Sequence, residues 1–166
     1  MNYKSVIIDG NSLLNRAYYA IPPLNNHEGK NVNAVFGFIN ILLKALTEIR
    51  PTHLAVAFDK KGKNFHHQLY ADYKATRKGM PDDLAQQMPV LFDLLGKMGI
   101  KRVEQGGVEA DDVIGTLSKK CDFPTVIVSG DRDLLQLVDE NTVVLLTKRG
   151  ITEVEEVNSG NIKTLY

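Results

Sequence analysis

The sequence predicts an α/β fold, a parallel twisted sheet with helices on both faces, and three observations predict it. Short apolar runs rich in β-branched residues recur along the chain. They alternate with longer stretches whose apolar residues fall three or four apart. Most of the short runs end at Asp, Gly or Ser, as strands buried on both faces of a parallel sheet do.

In chain order, the first run is Ser5–Asp9. Val32, Val35, Phe36, Ile39, Leu43, Leu46 and Ile49 then form one apolar stripe, a helix closed by Pro51. His53–Asp59 is the second strand. A helix from Asp82 to Met98 opens after Pro81 and stops at Gly99, with Leu84, Met88, Leu91, Leu95 and Met98 inward and a kink at Pro89. A third helix starts near Glu109 on Val113, Ile114 and Leu117. Pro124–Ser129 is the third strand, and a fourth helix follows near Asp131 on Leu134, Leu135 and Val138. Thr142–Thr147 is the fourth strand. With no repeat, linker or low-complexity tract, a single domain is expected over residues 1–166.

A chain of 166 residues with 43% hydrophobic content can bury a core without disulfides or structural zinc. Its one cysteine, Cys121, excludes sites built on several thiols and fits a reducing cytoplasm. No apolar run approaches a membrane span, so no membrane partner is expected. The 20 basic and 20 acidic side chains cancel, which argues against a general nucleic-acid glue. The cancellation hides segregation. From Lys60 to Lys78 there are six basic residues (Lys60, Lys61, Lys63, Lys74, Arg77, Lys78) and one acid, and from Glu104 to Glu140 nine acids and three bases. The first stretch suits a polyanion and the second suits cations, although charge runs alone are more often solvated faces.

Ligands of parallel sheets collect at the carboxyl ends of the strands, and acids stand there. The first strand ends in Asp9, the second in Asp59, and the third leads into Ser129-Gly130-Asp131-Arg132-Asp133, while Glu109, Asp111 and Asp112 open a helix. Each has a local alternative as a turn or helix cap. Together, so many like charges on one rim would repel unless a cation neutralised them. An all-carboxylate set suits Mg²⁺ or Mn²⁺ rather than zinc, and two such ions would clamp a phosphodiester. The basic stretch follows directly after Asp59. There Lys74 and Arg77 could reach one phosphate, and Tyr70 and Tyr73 could face unpaired bases. Arg16 could bind a phosphate or pair with an acid.

Ile8-Asp9-Gly10-Asn11-Ser12 with Arg16-Ala17-Tyr18, Ala57-Phe58-Asp59, Tyr73-Lys74-Ala75-Thr76-Arg77, Gly107-Val108-Glu109-Ala110-Asp111-Asp112-Val113-Ile114 and Ser129-Gly130-Asp131-Arg132-Asp133 occur in one order over nearly the whole chain. In that order and spacing they resemble the 5′ nuclease domain family of bacterial DNA polymerase I. The resemblance implies a PIN-like, flap-endonuclease-like enzyme that removes 5′ flaps and RNA primers in replication and repair. It implies two divalent ions, Mg²⁺ or Mn²⁺, on Asp9, Asp59, Glu109, Asp111, Asp112, Asp131 and Asp133. It also implies an arch over residues 60–81 with Tyr73, Lys74 and Arg77 at the scissile phosphate, Lys74 and Arg77 being catalytic. Arg16, Lys60, Lys61, Lys63, Tyr70 and Lys78 are further nucleic-acid contacts on this reading. The partners implied are flapped, nicked or primer-bearing DNA and the polymerase part of the parent chain, with the nuclease acting as a monomer.

The family pattern continues with a further acidic motif and a helix-hairpin-helix, neither of which occurs in these residues. Thr152-Glu153-Val154-Glu155-Glu156-Val157 reads as the start of a family helix cut short, so an N-terminal fragment is expected. Two alternatives stand beside the nuclease. One is a catalytically incomplete nucleic-acid-binding fragment of the same domain. The other is a Mg²⁺-dependent phosphatase with Asp9 as nucleophile, which Asn at position 11 disfavours.

Overall fold

The computed structural model describes residues 2–60, 79–150 and 152–166. A six-stranded sheet forms its centre: β1 (Ser5–Asp9), β2 (His53–Ala57), β3 (Lys101–Val103), β4 (Thr125–Ser129), β5 (Thr142–Thr147) and β6 (Val154–Val157), in spatial order β3-β2-β1-β4-β5-β6. β1 pairs in parallel with β2 and β4, β2 with β3, and β4 with β5. The chain order reverses direction at β1, so β1 and β4 flank the point where parallel sheets open a crevice.

Successive side chains of a strand face opposite ways, and the core divides accordingly. Val6 and Ile8 of β1 join Val56, Val126 and Val128 beneath α1 (Gly10–Ala20), α2 (Asn33–Ile49), α3 (Asp82–Ala85) and α4 (Gln87–Lys97). Ile7 joins Ile127, Val144 and Leu146 beneath α5 (Ala110–Lys120) and a 3-10 helix at Arg132–Leu137. A last short turn, α6 (Ile162–Leu165), follows β6. Strands covered on both faces read as continuous apolar runs, which is why these were visible in sequence.

Several expectations are corrected. The sheet is parallel except for β6, which runs antiparallel to β5 with Val157 opposite Val144. The expected helix at Thr152–Val157 is therefore a strand, because Val157 fills the α5 side of the core at 0% exposure while Val154 stays exposed. β3 was not expected: its first two residues, Lys101 and Arg102, are exposed, so it shows no apolar run. α1 is likewise an unexpected element, with a turn at Asp9-Gly10-Asn11-Ser12 only an alternative reading of that aspartate. The helix forms because Asp9 caps it, accepting from the Ser12 N–H, and Leu13, Leu14 and Ala17 then bury one face.

α2 keeps its expected length but turns a different face inward. Ala34, Val35, Phe38, Ile41, Leu42 and Ala45 are buried, whereas Phe36 and Leu43 are exposed. The expected helix Asp82–Met98 is two helices that meet at Gln86. Pro89 has no N–H to offer the Ala85 carbonyl, so the break falls one turn before the proline. Leu84, Leu91 and Leu95 point inward as expected, whereas Met98 is exposed. The helix near Asp131 has 3-10 geometry.

Candidate active site

Four strand or helix ends converge on one cleft of about 960 Å³. Its lining includes Asp9, Asp59, Glu109, Asp111 and Asp131 together with Asn11, Ser12, Asn15, Arg16 and Tyr19 of α1. Five of the seven expected acids thus meet in one place. Asp112 and Asp133 are not part of the lining.

Each carboxylate is set by a local backbone demand. Asp9 ends β1 and caps α1, and its second oxygen accepts from the Ser129 hydroxyl at 2.6 Å. That contact follows from register: Ile8 lies opposite Val128, so the next residues of β1 and β4 are neighbours. The same Ser129 oxygen accepts from the Asp131 N–H at 2.9 Å, so one hydroxyl spaces two acids on adjacent strands. Asp131 caps the 3-10 helix by accepting from the Asp133 N–H. Asp59 lies two residues past β2 and accepts from the Ala110 N–H at 2.7 Å, while its own N–H donates to the Asn11 side chain at 2.7 Å. Glu109 and Asp112 form a reciprocal capping box at the start of α5, with the Glu109 N–H donating to Asp112. The cap and the charge cluster are the same residues, so the local alternatives weighed from sequence are real and occupy only part of each carboxylate. The α5 dipole favours negative charge where Asp59, Glu109, Asp111 and Asp112 gather.

Burial dominates the electrostatics. Asp9 is 3% exposed, and its pKa is pushed from 3.8 to about 6 by desolvation, with Asp131 and Asp59 adding repulsion against the stabilising bonds from Ser129 and Ser12. Asp111 is pushed to about 7 by desolvation and then by repulsion from Asp9, Asp131, Glu109 and Asp59. Five carboxylates therefore feel one another across the cleft. Among the described residues, however, no three His, Cys, Asp or Glu side chains are gathered into a ready-made metal cage. The acids ring an open space rather than close on a point.

Arg16 also lines the cleft, and its guanidinium donates to the Lys148 carbonyl at 2.9 Å. A Cβ on Gly130 would stand 2.7 Å from the Arg16 Nε, so glycine lets the guanidinium cross the β4 loop. Lys60 is exposed outside the lining, near Gly106. Lys61, Lys63, Tyr70, Tyr73, Lys74, Arg77 and Lys78 lie outside the described residues. Sequence reading missed Ser129 as the spacer of two acids, and it missed Asn11, Asn15 and Tyr19. A helical period of four counted from Asn11 would have placed those three on one face.

Residues 4–165 match the family described as 5′-3′ exonuclease, N-terminal resolvase-like domain. DNA polymerase I of Bacillus subtilis is 43% identical over 166 residues, covering 98% of this chain and 19% of that protein. DNA polymerase I of Geobacillus stearothermophilus is 41% identical, covering 100% and 19%. The chain thus spans about a fifth of the length of these relatives. Among solved structures, the T5 D15 protein co-crystallised with metal ions superposes with a TM-score of 0.75 at 18% identity, over 98% of this chain and 60% of that one. Flap endonuclease-1 from Methanococcus jannaschii superposes with a TM-score of 0.57 at 20% identity, over 93% and 56%. Likeness at such identities speaks for the fold.

Proposed function

The chain belongs to the family of 5′-3′ exonuclease N-terminal resolvase-like domains, and from that membership we propose that it is the metal-dependent 5′ nuclease of a DNA polymerase I, hydrolysing phosphodiesters in 5′ flaps, nicked duplexes and RNA primers. The observation that carries the reading is the convergence of Asp9, Asp59, Glu109, Asp111 and Asp131, from four separate chain segments, on one cleft beside Arg16.

The donor set fits a hard divalent ion. It consists of carboxylate oxygens, two of them with pKa values raised toward neutrality by burial and one another, as charge awaiting a cation would be. An open ring suits Mg²⁺ or Mn²⁺, since Mg²⁺ keeps several waters and takes only one or two carboxylates directly. Such ions, when bound, supply electrostatic stabilisation of the phosphodiester and a more acidic water. The residues do the rest. Asp9, Asp59, Glu109, Asp111 and Asp131 hold the ions. Asp112 fixes Glu109 through the capping box, and Asp133 supports Asp131 through its N–H. Arg16 is assigned to a phosphate. Lys74 and Arg77 are assigned to the scissile phosphate, with Lys60, Lys61, Lys63, Tyr70, Tyr73 and Lys78 along the strand.

An end-labelled 5′ flap tests the reading: product should form with Mg²⁺ or Mn²⁺ and vanish with EDTA. Absence of both cleavage and Mn²⁺ binding would overturn it. A binding-only module is the second reading, favoured by the fact that only five of the seven expected acids line the cleft. It would bind the flap in EDTA and leave it uncut in Mn²⁺.

A further inference from the structure

One whole face of α1 forms a wall of the cleft, and its composition changes in order along the helix. Gly10, Leu13, Leu14 and Ala17 are buried against the sheet, whereas Asn11, Ser12, Asn15, Arg16, Tyr19 and Ala20 line the cleft. The wall begins at Asp9, continues through two amides and a guanidinium, and ends in an aromatic ring. At about 1.5 Å per residue, Tyr19 stands roughly 15 Å along the axis from Asp9. That order suits an extended strand whose scissile phosphate lies at the carboxylates.

Tyr19 is 68% exposed, the most exposed large hydrophobic side chain among the described residues. A lone exposed aromatic is unremarkable on a surface. This one stands at the mouth of the polar cleft, and its ring is braced rather than free. Tyr18 meets it edge to face, with centroids 5.0 Å apart and planes at 83°. Desolvation, and then the neighbouring Asp83 carboxylate, raise the Tyr18 hydroxyl above its ordinary pKa. A T-shaped contact covers at most one face of either ring, so Tyr19 keeps a π-face open. Base stacking on such a face does not depend on sequence, because every base has one.

We propose that Tyr19 is a stacking platform for an unpaired base of the nucleic-acid strand whose scissile phosphate sits at the acidic cleft. The proposal rests on the nuclease reading, and it assigns a single-stranded occupant, since base pairs inside a duplex have both faces covered by their neighbours.

The test is binding of a fluorescent 5′-flap DNA in Ca²⁺ without turnover, using flaps with one abasic site walked across the unpaired nucleotides next to the junction. Tyr19→Ala should weaken binding of the intact flap about tenfold, while Tyr19→Phe should bind like the wild type. One abasic position should weaken the wild type by a similar factor and leave Tyr19→Ala unaffected, the non-additivity expected of two partners in contact. The melting temperature of Tyr19→Ala should equal that of the wild type, because the ring buries little. Equal binding of wild type and Tyr19→Ala, or additive losses at every abasic position, would overturn the platform and leave the nuclease reading intact. Failure of the wild type to bind any flap would overturn both.

Discussion

At the scale of the residue, Asp9 and Asp111 are the carboxylates whose ionisation the fold opposes most. Their carboxyls ionise near 3.8 in an unfolded chain and near 6 and 7 in the fold. Between those values the folded state binds more protons, so its stability falls as pH rises, the reverse of the usual salt-bridged carboxylate. The metal-free protein should accordingly melt at a lower temperature at pH 8 than at pH 5, and saturating Mn²⁺ should remove most of the difference. Asp111→Asn should raise the metal-free midpoint at pH 8 by roughly 3 °C, about 1 kcal/mol once solvent screening of this partly buried group is counted. It should change little at pH 5, where Asp111 is already protonated. Scanning calorimetry at the two pH values decides it, and a variant less stable than wild type at pH 8 would refute the repulsion. The same substitution should weaken Mn²⁺ binding, so stability and ligand affinity move in opposite directions.

At the scale of the element, the cleft depends on where helices start. Gly10 opens α1 so close to the sheet that an added Cβ would lie 2.5 Å from the Phe58 ring and 2.8 Å from the Ala57 carbonyl. Backbone cannot yield as a flexible side chain does, so Gly10→Ala should cost about 1–3 kcal/mol and tilt α1. Flap cleavage should fall further than this loss of stability implies, since Asp9, Arg16 and Tyr19 all ride on that helix. Chemical denaturation alongside single-turnover cleavage checks it, and an unaltered rate would show that α1 can shift without moving the site. The start of α2 is held from another helix. The Gln87 side chain, 1% exposed, accepts from the Ala34 N–H at 2.9 Å and donates to the Asn33 side chain at 2.9 Å. Gln87→Leu strands those buried groups and should destabilise by about 2–3 kcal/mol, whereas Gln87→Glu should lose less because one acceptor remains. Denaturant midpoints rank the two.

These helix starts also mark where sequence was legible. The buried strands stood out because both faces demand apolar residues, and the acids at their ends identified the rim. α1 did not, since Gly-Asn-Ser directly after an aspartate reads as a turn until the capping bond and Leu13-Leu14-Ala17 are considered together. α2 is apolar on more than one side, so a three-or-four spacing fitted Phe36 and Leu43 as well as Phe38 and Leu42, and only packing against the sheet decides which face goes in. β6 carries three glutamates in and beside two valines. Its pairing is set by the β5 edge rather than by its own propensity. At the site, the residue types were legible and their division of labour was not. Nothing in the spacing says that Asp112 serves the capping box, or that one serine hydroxyl separates Asp9 from Asp131.

At the scale of the whole molecule, a net charge of zero arises from opposed regions, and this dictates how binding should answer to pH and ions. Phosphates approaching the cleft meet Asp9, Asp59, Glu109, Asp111 and Asp131, of which Asp9 and Asp111 carry partial charge near pH 6 and nearly full charge at pH 8. In EDTA, flap affinity should therefore decrease as pH rises from 5.5 to 8, by about fivefold to tenfold, although no histidine among the described residues lines the cleft. Calcium, a hard cation that binds oxygen donors, should restore affinity at pH 8 and flatten the profile. Asp111→Asn should flatten it in EDTA as well. Raising salt weakens the repulsion at the cleft and, on the proposed reading, the attraction of the Lys60–Lys78 cations, so the EDTA profile should shrink while overall affinity falls. Fluorescence anisotropy over pH, with and without Ca²⁺, separates these effects. A pH-independent affinity in EDTA would mean that the strand does not pass the carboxylates at all, and the acidic cleft would then have to serve something other than the DNA backbone.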